Sequence, residues 1–362
     1  MSTPSSRMMP QTDLPDATPP DCPLTSKEGW RRYVEHESTP PQLHSAAERA
    51  ALTGAERDRE DEWRREYHAN LPMVNTPTIR KVIATARLLI QLNRHQVSAR
   101  RGVILSGASG TGKTTALTQM GRAHELATRK RHPHDGARLP VIYVTVPPAA
   151  TPKMLATEFA RFFGLPFPKR GVTLTDIVDA VCATAAHTRV DLVLVDELHN
   201  LNLATRSGAE ASDQLKYFAE RLPATFAYAG IDIETQGLFA GTRGRQIAGR
   251  FVVIPAAPFS HATAADQETW RALVGTLESL LRLHEHAPGT LTEMSDYLFH
   301  RTGGMIGSLS QLIRGAAVLA IEDGSERITR ELLELVPLDF AAEQTQRLIT
   351  PAGAKGRRRS VA

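Results

Sequence analysis

Cysteine is nearly absent from this chain: Cys22 and Cys182 are the only two among 362 residues. One falls in a tail-like stretch and the other on an expected helix face, so neither a disulfide framework nor a cysteine-ligated zinc site is suggested. Long apolar runs are missing as well. None reaches the roughly 18 residues that a membrane-spanning helix needs, and Met1 to Pro23 lacks the apolar core of a signal peptide, which makes the cytoplasm the expected location. Aromatic residues are scarce at 6%, which argues against a stacking platform for nucleic-acid bases, and no helix-turn-helix pattern stands out.

What remains is an ordinary globular composition, 41% hydrophobic and 23% charged, in a chain long enough for two or three domains. The formal charge of +4 and a pI of about 9.2 permit contact with nucleic acid without requiring it. Basic residues cluster at Arg94 to Arg101, at Arg129-Lys130-Arg131 and at Lys355-Gly356-Arg357-Arg358-Arg359, and each cluster taken alone reads as solvated surface.

Residues 1–23, rich in Pro, Ser, Thr and Asp, are expected to be a disordered tail. Residues 24–75 form a charged helical arm, with Trp30, Tyr33, Trp63 and Tyr67 pinning otherwise exposed helices. Such an arm either binds a partner or wraps the core, and the sequence does not choose between them. Residues 76–258 alternate strand and helix patterns, which implies a parallel α/β/α sandwich. Strands are expected at Gly102–Ser106, Leu139–Val146, Asp191–Asp196, Ala224–Ala229 and Phe251–Ile254. Thr76-Pro77, Thr151-Pro152 and Thr175-Asp176 read as helix starts, and Met154, Leu155, Phe159 and Phe162 as a buried helix face. Residues 259–345 carry only helical patterns, over Trp270–His284, Thr292–Arg301, Ile306–Ile321 and Arg330–Val336, and residues 346–362 make a basic flexible tail.

The chain is organised around Gly107-Ala108-Ser109-Gly110-Thr111-Gly112-Lys113-Thr114, which matches G-x-x-x-x-G-K-[ST] between a buried strand and a helix expected from Thr115 to Ala127. A glycine-rich hairpin turn can match by chance, but the flanking strand and helix are those of a P-loop. There the glycines let successive N–H groups turn inward around a polyphosphate, assisted by the positive end of the helix. Gly107 to Thr115 would cradle ATP, Lys113 would reach the β- and γ-phosphates, and the Thr114 hydroxyl would bind Mg²⁺. Some eighty residues on, Leu192-Val193-Leu194-Val195 ends in Asp196-Glu197. Paired acids at the carboxyl end of a buried strand lie where α/β sheets bind ligands. Asp196 would hold Mg²⁺ through its waters, and Glu197 would polarise the water that attacks the γ-phosphate.

These motifs, the parallel sheet and the trailing helices resemble the AAA+ ATPases, a P-loop NTPase fold class with a small helical lid. The segment Asp196-Glu197-Leu198-His199-Asn200-Leu201 narrows the resemblance to the TniB family of bacterial transposition ATP-binding proteins and their TnsC-like relatives, over roughly residues 25–345. The resemblance implies an ATPase that assembles on double-stranded DNA as a homo-oligomeric ring or filament and helps an integrase-type transposase or its accessory protein engage a target. It also implies an arginine supplied across the subunit interface, with Arg243, Arg245 and Arg250 as candidates and Arg250, followed by Phe251, the best placed. His199 reads as a phosphate sensor, a contact to a subunit or DNA, or a bond to the loop that carries it; Asn200 reads as an orienter of Glu197 or a cap.

The sensor positions depart from the family pattern, from which slow hydrolysis, or hydrolysis used only as a regulatory timer, is expected. Thr225, Tyr228 and Asp232 are the weak candidates near the fourth strand, and Ser308 stands where many relatives carry an arginine, with Arg314 further along. Lys216, Arg206 and the Arg94–Arg101 segment are the first candidates for contact with DNA phosphates. Two other functions fit the same core: a nucleotide-dependent signalling or defence switch without a DNA role, and a loader-type remodeller with robust turnover.

Overall fold

The computed structural model describes residues 22–166, 171–201, 203, 205–235 and 248–339; Arg243, Arg245, the tail through residue 21 and the terminal basic run lie outside them. Five short apolar runs form strands, β1 (Gly102–Ser106), β2 (Val141–Thr145), β3 (Leu192–Asp196), β4 (Thr225–Gly230) and β5 (Phe251–Pro255). All pair in parallel, in the order β2-β3-β4-β1-β5. A continuous apolar run buries both faces of a strand, which is why β1, β3 and β4 are buried along their whole lengths. The second strand is shorter than its pattern because Pro140 has no N–H to extend the ladder.

Helices cover both faces of the sheet. On one lie α4 (Pro77–Asn93) and α5 (Lys113–Arg131), with α1 (Lys27–Glu35) outside α5; on the other lie α6 (Pro152–Phe163), α7 (Leu174–His187) and α8 (Arg206–Arg221). Threonine marks the starts of four of them. The hydroxyls of Thr76, Thr151, Thr173 and Thr205 each accept a backbone N–H of the first helical turn. Thr173, not Thr175, caps α7, because Asp176 reaches back to it and closes a capping box. Met154 is 40% exposed rather than part of the buried face of α6, which Leu155, Ala156, Phe159 and Phe162 supply.

A second hydrophobic core forms from α9 (Ala264–Ser279), α10 (Thr290–Glu293), α11 (Ser295–Thr302), α12 (Ile306–Glu322) and α13 (Arg330–Leu335), with Trp270 at its centre. The first helix begins at Ala264 rather than Trp270, since Thr263 and Asp266 form a capping box there. The pattern over Thr292–Arg301 is two helices, broken at Met294. Among the described residues no single helix is long and apolar enough to cross a membrane.

The charged arm wraps both cores. The Trp30 indole is fully buried against Gly121 of α5, stacks on Tyr143 at 6.0 Å and donates to Glu125 Oε2 at 2.5 Å. Further on, α2 (Ala46–Ala51) and α3 (Gly54–Ala69) lead to the helical lid, where α3 packs on α12. Arg64, fully buried, forms a two-pronged pair with Glu326 at 2.6 and 2.8 Å, and Arg49 joins the same carboxylate at 2.9 Å. Trp63, expected to pin the arm, is 48% exposed; Arg64, one residue on, faces inward instead.

His68 gives this junction a pH dependence. Its Nε2 accepts Arg282 N–H at 3.0 Å, which leaves the ring proton on Nδ1 to donate to the Arg64 carbonyl at 2.7 Å. Burial above all, and then the Arg64 and Arg282 charges, bring its pKa from 6.5 down to about 4, against the opposing Arg64 hydrogen bond. The unfolded chain therefore takes up a proton near pH 6.5 that the folded chain refuses until about pH 4. Stability is present above 6.5 and lost as pH falls toward 4, by on the order of 3 kcal/mol. Melting temperatures across this window are expected to fall with acid in the wild type and less steeply in His68→Gln; parallel slopes would contradict the assignment.

Candidate nucleotide and metal site

The P-loop begins where β1 ends. Gly107 has no room for a side chain, because a Cβ there would run into the Ala256 carbonyl at the end of β5. Gly112, the residue before α5, has φ 82°, a left-handed conformation suited to glycine. Between them Thr111 Oγ1 donates to Ala108 O at 2.8 Å and closes the loop. Lys113 Nζ donates to the same carbonyl at 2.6 Å. Burial lowers the Lys113 pKa, while the charges of Asp196, Glu197 and Asp232 pull it back up. The lysine, in the first turn of α5, is therefore within electrostatic reach of all three carboxylates. The lid closes over this loop as well: Gly307 N–H, in the first turn of α12, donates to Gly110 O at 3.3 Å.

The acids enter from β3, which is separated from β1 by β4. Asp196 is 3% exposed. Its Oδ1 accepts Glu197 N–H at 2.8 Å and its Oδ2 accepts the Tyr143 hydroxyl at 3.0 Å. Burial, and then the Asp196 charge, push the Tyr143 pKa up, so its hydroxyl stays a donor. Each carboxylate oxygen keeps lone-pair capacity for a metal or its waters. With the exposed Thr114 hydroxyl the donor set is all oxygen. That set fits Mg²⁺, which keeps several waters and takes one or two carboxylates beside phosphate oxygens.

Glu197 sits at φ 56°, ψ 36°, and starts a 3₁₀ turn over Leu198–Asn200. Its carboxylate lies 3.1 Å from His199 Nε2. Asn200 Nδ2 donates to Val146 O at 2.8 Å, so it anchors this turn to the end of β2. The structure thus brings together Gly107, Ala108, Ser109, Gly110, Thr111, Gly112, Lys113, Thr114 and Thr115 with Asp196 and Glu197 at the carboxyl end of one sheet.

Other candidates are placed elsewhere. Arg250 precedes β5 at the amino end of the sheet, where it is ion-paired with Glu220 and its carbonyl accepts Gly102 N–H at 3.0 Å. Thr225 starts β4 and its hydroxyl accepts from Asn93, and Tyr228 is buried against Phe251. Of the three sensor candidates only Asp232 lies at the Lys113 end of the sheet. Ser308 donates to Asp339 at 2.6 Å, and Arg314 binds the His68 and Ala69 carbonyls that end α3. Arg206 pairs with Glu210 at 2.8 Å, whereas Lys216, Arg100, Arg101 and Arg250 rim one cavity beside α8.

Two participants carry little or no local signal in the sequence. Tyr143 was signalled only by a hydroxyl-bearing ring in an otherwise aliphatic strand beside β3. Glu234 accepts the Ser106 hydroxyl at the root of the P-loop, and no local pattern pointed to it.

The family described as bacterial TniB protein matches residues 66–261, more than half of the chain. Among solved structures, the Aeropyrum pernix ORC1 protein in complex with DNA is 18% identical, with a TM-score of 0.57, 78% of this chain covered and 69% of that one. The Aeropyrum pernix ORC2 protein, solved as ADPNP-ADP complexes, is 19% identical with a TM-score of 0.58, covering 74% and 70%. At such identities the likeness establishes the fold. No curated protein matches the chain by sequence.

Proposed function

Because this chain belongs to the TniB family and has the AAA+ P-loop fold, we propose that it is an ATP-dependent switch for DNA transposition. It binds ATP with Mg²⁺, assembles as a homo-oligomer on double-stranded DNA, recruits an integrase-type transposase or its accessory protein, and resets by slow hydrolysis. The observation that carries the reading is the convergence of Lys113 with Asp196 and Glu197 at one end of the sheet. A phosphate seated there meets the loop N–H groups, the Lys113 ammonium and the positive end of α5.

In this reading Thr114 and Asp196 hold Mg²⁺, which supplies charge neutralisation for the phosphates. Glu197 orients the attacking water, with one carboxylate oxygen on His199 and the other free for it. Arg250 lies at the opposite end of its own sheet, so it serves a neighbouring subunit once Glu220 releases it. DNA binding draws on the family, and an ORC1 protein of the same fold was solved with DNA. On this chain Lys216, Arg100 and Arg101 form the converging basic group on which the reading places the phosphate backbone, giving salt-sensitive and weakly sequence-selective binding.

The test is Glu197→Gln. The variant is expected to keep ATP binding, lose hydrolysis by about 100-fold or more, and retain duplex DNA for longer than the wild type in a filter assay. Equal complex lifetimes would remove the assigned role of Glu197. ATP hydrolysis that is identical with and without duplex, with no DNA retained, would favour the signalling or defence switch.

A further inference from the structure

His199 stands between Glu197 and the end of β4. The 3₁₀ turn that carries it is closed by Asn200 N–H on Glu197 O at 2.9 Å and anchored to β2 through the Asn200 side chain. Gly230, the last residue of β4, lets the turn come close, since a Cβ there would meet His199 N at 3.1 Å. From this seat the imidazole reaches both ways. Ile231 N–H donates to Nδ1 at 3.3 Å, and Nε2 faces Glu197 Oε2 at 3.1 Å. A backbone N–H on Nδ1 makes that nitrogen the acceptor, so the ring proton sits on Nε2, the nitrogen 3.1 Å from the carboxylate. Glu197 itself has a left-handed backbone, which residues with side chains seldom adopt, and its carboxylate is half exposed. His199 is the one side chain in polar contact with it among the described residues.

We propose that His199 is a positioning residue that fixes the Glu197 carboxylate and couples it to the end of β4. The inference rests on the reading of Glu197 as the group that orients water. With Oε2 committed to His199, Oε1 is the oxygen that takes the water proton in the hydrogen bond, and the carboxylate plane is set by the ring. The coupling follows from the strand order. β4 lies between the strand that leads into the P-loop and the strand that carries the acids. Its trailing residues touch both: Ile231 N–H holds His199, and Ile233 N–H donates to Ser106 Oγ at 2.9 Å, while the Asp232 charge acts on Lys113. A displacement of this segment therefore shifts the Glu197 carboxylate and the root of the phosphate loop together.

The experiment is steady-state ATP turnover, with binding of a non-hydrolysable ATP analogue and melting temperature measured in parallel, on the full chain. Wild type, His199→Ala, His199→Gln, Glu197→Gln and the His199→Ala/Glu197→Gln double variant are compared. His199→Ala is expected to lower kcat by about 10- to 100-fold, the scale of a misplaced catalytic group, with analogue affinity and melting temperature unchanged. His199→Gln is expected to recover most of the rate, because its amide offers an acceptor for Ile231 N–H and a donor for Glu197. In the Glu197→Gln background the alanine change is expected to add nothing, as for two residues acting through one group. A wild-type rate in His199→Ala beside an inactive Glu197→Gln overturns this proposal alone. An equal further loss in the double variant overturns it too, since His199 would then act independently of Glu197. A Glu197→Gln protein as fast as wild type overturns the reading of Glu197 and this inference with it.

Discussion

Lys113→Ala is expected to weaken ATP binding by about 10- to 100-fold, since a hydrogen bond to a charged group contributes about 1.5–3 kcal/mol and each 1.4 kcal/mol is a factor of ten. The lysine is half-buried at the start of α5, bonded to the Ala108 carbonyl and faced by Asp196, Glu197 and Asp232. Without the ammonium those three charges act unopposed on a triphosphate at the loop, so repulsion adds to the lost contact. Isothermal titration with Mg²⁺-ATP reads the loss, and sedimentation in the presence of duplex DNA is expected to show that assembly disappears with it. Lys113→Arg is a poor replacement, because a planar fork does not fit where a compact ammonium is held by one carbonyl. Unchanged ATP affinity in Lys113→Ala would place the nucleotide elsewhere.

The second large effect is expected far from that site. Arg64→Ala is expected to destabilise the protein by up to about 3–5 kcal/mol, the cost of taking from a buried charge its main partner. Glu326 would be that charge, left with the partly exposed Arg49. Burial raises its pKa, but the Arg64 bonds and charge, aided by Arg49, hold it at about 2 against an ordinary 4.5. Its contribution is therefore present above about pH 4.5 and lost as pH falls toward 2, where the folded carboxylate takes up its proton. Removing both charges together, as Arg64→Met with Glu326→Leu, is expected to cost less than Arg64→Ala alone, because no charge is left buried and unpaired. Chemical denaturation of the two variants measures the difference. A double variant no more stable than Arg64→Ala would mean that the pair is not what holds the arm to the lid.

These two positions mark what could and could not be read from the chain. The P-loop, β1 and the apolar run into Asp196-Glu197 were legible because each is a local pattern: a fixed spacing of glycines, or a run long enough to bury both strand faces. The arm was not. Arg64 and Glu326 are 262 residues apart, and nothing near either one signals the other. Trp63 and Arg64 invite the opposite assignment, with the aromatic ring inside, and the ion pair reverses it. Trp30 was legible as an anchor, but its seat against Gly121 and Tyr143 needed the fold. The strand order mattered most for the site. Periodicity identifies five strands without ordering them, so the place of β4 between β1 and β3 stayed hidden. With it stayed hidden the meeting of Ile231, Asp232 and Glu234 with His199, Lys113 and Ser106.

The most direct measurement is a structure of the Glu197→Gln protein with Mg²⁺-ATP. The β- and γ-phosphates are expected to be wrapped by the backbone of residues 107–114, with the Lys113 ammonium on their oxygens and one metal ion shared between the Thr114 hydroxyl and Asp196 through at most one intervening water. A triphosphate bound away from that loop, or a metal ion held without Asp196, would contradict it.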